Sequence, residues 1–140
     1  MIDKNPNFTP QEYQARIAKT RAAMDAAQLD AIFVTDPSNM SWLTGYDGWS
    51  FYVHQGVVLT MTGEPIWWGR AMDAVGAGRT VFMKDGDTIR GYDDTFVQNP
   101  DKHPMQELAA LLAEHGLDRS RIGVEMDNYY YTAAAHATLT

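Results

Sequence analysis

Cysteine is absent from this sequence of 140 residues, and so is any run of the roughly 20 apolar residues that a membrane span requires. Without cysteine the chain can form neither a disulfide framework nor a thiolate metal site, so we expect a reducing cytoplasm as its compartment. The opening MIDKNPNFTP also lacks the cationic and apolar regions of a signal peptide. We therefore predict a soluble cytoplasmic protein without a targeting segment.

Positive charge is scarce as well. Eleven basic residues stand against 18 acidic ones, which gives a net charge of −7. Such a chain repels a nucleic-acid backbone and an anionic membrane, so we expect neither as a partner. What the chain does have is 45% hydrophobic residues and a length that suits one core, which predicts that residues 1–140 form a single domain.

The first 35 residues have the pattern of a helix followed by a strand. Thr9, Pro10 and Glu12 fit the N-cap, first-turn proline and capping-box positions of a helix that we expect to reach about Ala27. The run AIFV at 31–34 lacks polar alternation, which is typical of a strand covered on both faces.

The rest of the chain continues this alternation of helices and strands. We expect a short helix capped by Ser38 or Asn39 and ended by Gly45, a second short helix at 71–78 and a long helix from Pro104 to Gly116. Residues 128–140 are also compatible with a helix. We expect hairpin strands at 52–61 and 65–68 and further strands at 80–83, 88–92 and 121–125. This order favours an α/β fold with a mixed β-sheet covered by helices. The last segment has no glycine or proline stop, so we expect the polypeptide to continue beyond it.

Residues capable of catalysis are present, but their spacing does not indicate an active site. No HExxH, GxSxG or GxGxxG motif occurs, and we interpret the following as capping, surface or turn residues: His103, His115, His136, Asp93-Asp94, Glu125-x-Asp127 and Gly76-Ala77-Gly78-Arg79. The sequence by itself therefore predicts no catalytic, metal-binding or cofactor-binding residue.

Aromatic residues are concentrated between positions 42 and 54, where a core and a contact surface explain them equally well. We expect Trp42 and Leu43 to face the core and the contact surface to begin after Tyr46. His54 follows this stretch, in what we interpret as a strand, and is a candidate for ligand contact. In Trp67-Trp68, adjacent strand residues point to opposite faces, so at least one of the two should leave its own layer.

Several of these stretches resemble the N-terminal domain of the creatinase/prolidase/aminopeptidase P family. The similar features are a capped helix with Arg16, Arg21 and Met24, the strand entry at 28–31 and the motif Asn39-Met40-Ser41-Trp42-Leu43-Thr44-Gly45. Two positions depart from the family pattern: Gln28 replaces a glycine that ends the helix, and Trp42 replaces a tyrosine. The stretches 45–55, 65–70, 103–105 and 122–135 look most similar to the ectoine hydrolase branch of this family.

The resemblance implies a creatinase/prolidase N-terminal fold, with ribonuclease H-like layers, in a chain without the catalytic C-terminal domain. That domain would hold any metal, and the parent enzyme could be metal-dependent or metal-free. The resemblance further implies a homodimer in which Trp49, Phe51, Tyr52 and His54 contact a small-molecule substrate, either ectoine or an Xaa-Pro peptide. The alternatives are the N-terminal domain of an Xaa-Pro aminopeptidase or prolidase, and a stand-alone binding or assembly module.

Overall fold

The computed structural model describes residues 4–140 and has five strands and five α-helices in these residues. The strands are β1 (Ala31–Val34), β2 (Gly56–Thr60), β3 (Ile66–Arg70), β4 (Ile89–Tyr92) and β5 (Ile122–Val124). The helices are α1 (Pro10–Ala26), α2 (Pro37–Thr44), α3 (Ala74–Thr80), α4 (Met105–Glu114) and α5 (Ala133–Leu139). Short 3-10 turns at Ala71–Asp73, Gly86–Thr88 and Asp94–Phe96 complete the regular structure.

The strands form one mixed sheet in the order β4-β3-β2-β1-β5. β2 pairs antiparallel with both β1 and β3, as expected of a hairpin and its neighbour, while β4 and β5 join the edges in parallel. The predicted mixed α/β sheet is therefore confirmed.

Helices cover both faces of this sheet, and each face has its own hydrophobic cluster. Residues of α1, α2 and α3 pack with Trp67 on one face, and residues of α4 and α5 pack with Trp68 on the other. Both tryptophans are buried, so the two rings lie in different layers, as the strand alternation predicted.

Helix α1 begins and ends with local hydrogen bonds. The hydroxyl oxygen of Thr9 accepts from the Glu12 N–H at 3.2 Å, but the Glu12 carboxylate pairs with Arg16 and leaves the capping box half formed. At the other end Gln28 has a φ of +58°, and the Leu29 N–H donates to the Met24 carbonyl at 2.9 Å. Gln28 therefore adopts the left-handed conformation that a glycine would adopt more easily.

Four expectations from the sequence are wrong in detail. Asp36, and neither Ser38 nor Asn39, caps α2, because its carboxylate accepts from the backbone N–H groups of both residues and Pro37 occupies the first turn. Trp42 is 41% exposed, since it lies off the buried face of α2 formed by Met40, Leu43 and Thr44.

The other two corrections concern strands. The hairpin strand begins at Gly56, so 52–55 is not strand and His54 precedes β2. No strand forms at 80–83, because α3 continues to Thr80 and the next residues pack into the core, where Phe82 stacks on Tyr13 at 5.0 Å between ring centroids. The remaining predicted helices and strands are present, although α5 begins only at Ala133.

Candidate functional site

The aromatic stretch forms a loop, residues 46–55, whose two ends are joined in the interior. The buried Tyr46 hydroxyl donates to Oε1 of the buried Gln55 at 2.8 Å. Burial, followed by the nearby Asp73, raises the pKa of Tyr46 to about 12, so the hydroxyl remains a neutral donor at physiological pH. This hydrogen bond therefore holds the two ends of the aromatic loop together.

Further contacts fix the course of the loop after Tyr46. A Cβ on Gly48 would overlap the Tyr46 ring, so only glycine allows the chain to cross there. The Asp47 N–H donates to the Thr80 hydroxyl at 3.2 Å, which ties the loop to the end of α3. A turn then follows, in which the Val53 N–H donates to the Ser50 carbonyl at 3.1 Å.

The middle of the loop presents aromatic rings to solvent. Trp49 is 80% exposed, Tyr52 69% and Phe51 40%, so the predicted exposure of Trp49 is confirmed. The Phe51 ring lies 6.0 Å from Trp49, 6.1 Å from Tyr52 and 6.0 Å from Tyr130 (centroid distances). We call these four residues the aromatic patch. Trp67 is buried and Trp49 is exposed, but Trp42 is exposed as well, so Tyr46 is not a single boundary between buried and exposed aromatic residues.

A cleft of about 510 Å³ adjoins the aromatic patch, and Tyr52 and His54 form part of its wall. The rest of the wall comes from β3, β4 and the 96–104 segment and includes Arg70, Tyr92 and His103. The His54 and His103 rings lie 4.7 Å apart, and the Tyr92 hydroxyl donates to the His54 carbonyl at 2.5 Å. We call this feature the His54 cleft.

Both histidines of the cleft are neutral at physiological pH. Burial, and then the neighbouring His103, lower the pKa of His54 to about 4. Burial also lowers the pKa of His103. Nδ1 of His103 accepts a hydrogen bond from the Met105 N–H at 3.1 Å, so its ring proton is on Nε2. His103 therefore has the predicted capping role at the start of α4 and keeps one donor available.

Three carboxylates of the two predicted pairs bind the chain's own groups. Asp94 accepts from the Arg70 guanidinium at 2.6 and 3.2 Å, and Asp93 accepts from the Thr95 N–H at 2.8 Å. Glu125 accepts from the N–H groups of Thr35 and Asp36 and from the Asn39 amide. These hydrogen bonds support the structural interpretation of Asp93, Asp94 and Glu125, while Asp127 is exposed.

The sequence of residues 16–139 matches the protein-family model of the creatinase/prolidase N-terminal domain. This chain belongs to that family. It is 52% identical over 140 residues to the ectoine hydrolase of Halomonas elongata, and the match covers 99% of this chain and 35% of that protein. The chain thus spans about a third of the length of this curated relative.

Solved structures share the fold of this creatinase/prolidase N-terminal domain. A proline dipeptidase from Streptococcus pneumoniae superposes with a TM-score of 0.68 at 22% identity, covering 89% of this chain and 82% of that chain. The N-terminal domain of an Xaa-Pro dipeptidase from Lactobacillus brevis gives 0.70 at 13% identity, covering 89% and 84%. At these identities the comparison establishes the fold.

Three of the four predicted contact residues lie next to one another in the structure, and the fourth lies apart from them. Trp49, Phe51 and Tyr52 lie together in the aromatic patch, while His54 faces the cleft. Sequence reasoning missed Tyr130 and Arg70 as neighbours of this site and interpreted His103 only as a capping or surface residue. The repeated tyrosines at 129–131 were the available signal for Tyr130, but nothing in the local sequence indicates that Arg70 approaches residue 54.

The described part of the chain offers no evident metal centre. Within residues 4–140 no three histidine or acidic side chains converge in a way that could hold a metal ion. None of the helices in the same residues is long and apolar enough to cross a membrane.

Proposed function

We propose that this domain is the non-catalytic N-terminal part of a cytoplasmic C–N hydrolase that opens the ring of ectoine. The observation that carries the proposal is the 52% identity to an ectoine hydrolase over essentially the whole chain. The reaction itself belongs to a C-terminal catalytic domain that the parent protein would contain, and any metal requirement would reside there.

The role of this domain is to supply a dimer interface and the entrance to the substrate site. The exposed rings of Trp49, Phe51 and Tyr52 support this role, because contiguous exposed aromatic rings are characteristic of contact surfaces. Ectoine has a delocalised amidinium-like ring, and an aromatic face stabilises such a cation by about 1–2 kcal/mol once water is excluded. His54 lies behind these rings and would contact a ligand only in the adjoining cleft.

A peptidase is the second candidate, and the shared fold with dipeptidase structures favours it. Assays of the full-length parent with ectoine and with an Xaa-Pro dipeptide separate the two enzymes. We expect ring opening of ectoine; cleavage of the dipeptide without action on ectoine would overturn the proposal. A parent reading frame that stops directly after this domain would instead support a stand-alone module. Chelation of the parent enzyme then tests whether its catalytic domain depends on a metal.

Dimer formation is tested on the same full-length protein. Sedimentation or light scattering should give twice the mass of one chain, and a monomer that remains fully active would exclude an entrance built by the partner subunit. A dimer that persists when the aromatic patch is mutated, with unchanged kinetics, would remove the patch from both roles.

A further inference from the structure

The lining of the His54 cleft is opposite in charge to the chain as a whole. The chain has a net charge of −7, yet within the described residues the lining contains the cations Arg70 and Lys102, two neutral histidines and no aspartate or glutamate. In an acidic protein, a concave site without carboxylates favours a ligand that is itself negatively charged.

Two donors in this lining are available to such a ligand. The Lys102 ammonium lies 5.3 Å from the centroid of the Phe96 ring and forms no hydrogen bond or ion pair with any residue from 4 to 140. His103 adds the N–H on Nε2, because its Nδ1 already accepts from Met105. Arg70 contributes less, since Asp94 neutralises it.

Aromatic rings form much of the remaining wall, which also contains the polar side chains of Gln98 and Asn99. Rings of Tyr52, Tyr92 and Phe96 line the cleft beside these donors. Aromatic walls bind planar or cyclic groups, and charged donors beside them fix one end of the ligand. The volume of about 510 Å³ accommodates a small molecule with one ring.

We propose that the His54 cleft binds a small cyclic carboxylic acid, whose carboxylate accepts hydrogen bonds from Lys102 and His103 while its ring packs against Tyr52 and Phe96. Only the identification of that acid with ectoine, itself a cyclic carboxylate, rests on the proposed function. Binding of the chemical class rests on this chain alone.

The test is a titration of the 140-residue chain, monitored by its amide NMR signals at constant ionic strength. A relative's N-terminal domain has been solved as a separate chain, which supports work on this domain by itself. The probes are benzoate, its neutral isostere benzamide, inorganic phosphate and ectoine. We expect benzoate to shift the signals of Tyr52 and His103 and to bind about tenfold more tightly than benzamide, because a charge-assisted hydrogen bond contributes only with the anion.

The matched variants are Lys102→Gln and Lys19→Gln, which each remove one positive charge. Lys19 lies exposed on α1 and outside the cleft, so Lys19→Gln should bind benzoate normally, while Lys102→Gln should lose the preference for benzoate over benzamide. Equal binding of benzoate and benzamide, an equal effect of both substitutions, or phosphate binding as tight as benzoate would each overturn the proposal. Binding of benzoate without ectoine would leave it standing and count against the ectoine assignment alone.

Discussion

At the scale of single residues, Trp49 and Trp67 show two uses of one side chain. Trp49 is 80% exposed and Trp67 is fully buried. Trp49→Ala should change the free energy of unfolding by less than about 0.5 kcal/mol, whereas Trp67→Ala should cost about 3–5 kcal/mol because it leaves a cavity. Urea denaturation of the two variants measures the contrast.

The same Trp49→Ala substitution has a functional outcome in the full-length parent. If the aromatic patch forms the substrate entrance, KM should rise while thermal stability remains almost unchanged. A lower stability without any change in KM would return Trp49 to a packing role. Met72→Ala, at an exposed apolar side chain outside the patch, is a suitable control.

His54 provides a prediction about pH. Its pKa is about 4 in the folded chain, below the roughly 6.5 of an unfolded histidine, so the unfolded chain binds the proton first as pH falls. The contribution of His54 to stability is therefore complete above about pH 6.5 and is lost as pH falls towards 4. The pKa of the neighbouring His103 is lowered as well, because that ring is also partly buried.

His54→Asn removes this titration but keeps the backbone carbonyl to which Tyr92 donates. The melting temperature of the wild type should thus fall more between pH 7.5 and pH 4.5 than that of the variant. Equal falls in the two proteins would show that His54 is not the group responsible.

At the scale of elements, the end of α1 is held in a conformation that its sequence does not favour. Gln28 has a φ of +58° and an exposed side chain, so Gln28→Gly should raise the free energy of unfolding by about 0.5–1 kcal/mol. Ala27→Gly is the matched control, because Ala27 has an ordinary φ of −86° and should lose stability on the same change. Chemical denaturation compares the two, and a loss in both variants would contradict the strain at Gln28.

Glu125 connects two elements that are distant in sequence. Its carboxylate follows β5 and accepts from the N–H groups of Thr35 and Asp36, where β1 ends and α2 begins. Glu125→Ala should lower the free energy of unfolding by about 2–3 kcal/mol, because those donors lose a charged partner. Asp127→Ala, at an exposed position, should stay within about 0.5 kcal/mol. Thermal melts with and without Mg²⁺ check both variants, and stabilisation of the wild type by Mg²⁺ would instead indicate a cation site at this pair.

The elements also show where sequence reasoning succeeds. The signals for α1, β1 and α4 are local, since caps, hydrophobic spacing and the glycine at 116 lie within the elements themselves. Trp42 was misplaced because its surroundings are not local: the Arg16 guanidinium of α1 lies 5.4 Å from its ring and donates to its carbonyl at 3.1 Å. The His54 cleft has the same origin, since residues from four separate stretches meet there only through the order of the strands.

At the scale of the whole molecule, the two hydrophobic clusters are not independent. They lie on opposite faces of one sheet, and the neighbouring residues Trp67 and Trp68 carry one ring into each. Loss of β3 would therefore expose both clusters at once. A chain of this length with such a shared sheet should unfold in a single cooperative transition.

This expectation is tested with probes placed on each face. Trp67→Phe and Trp68→Phe each remove one buried indole, so the fluorescence change of each variant reports more strongly on the opposite cluster. For each variant, the fraction unfolded calculated from fluorescence should coincide with the fraction unfolded calculated from far-UV circular dichroism across the whole denaturation curve. A fluorescence transition that precedes the loss of secondary structure in only one variant would show that one helical layer separates first. The predicted single domain would then consist of two folding units.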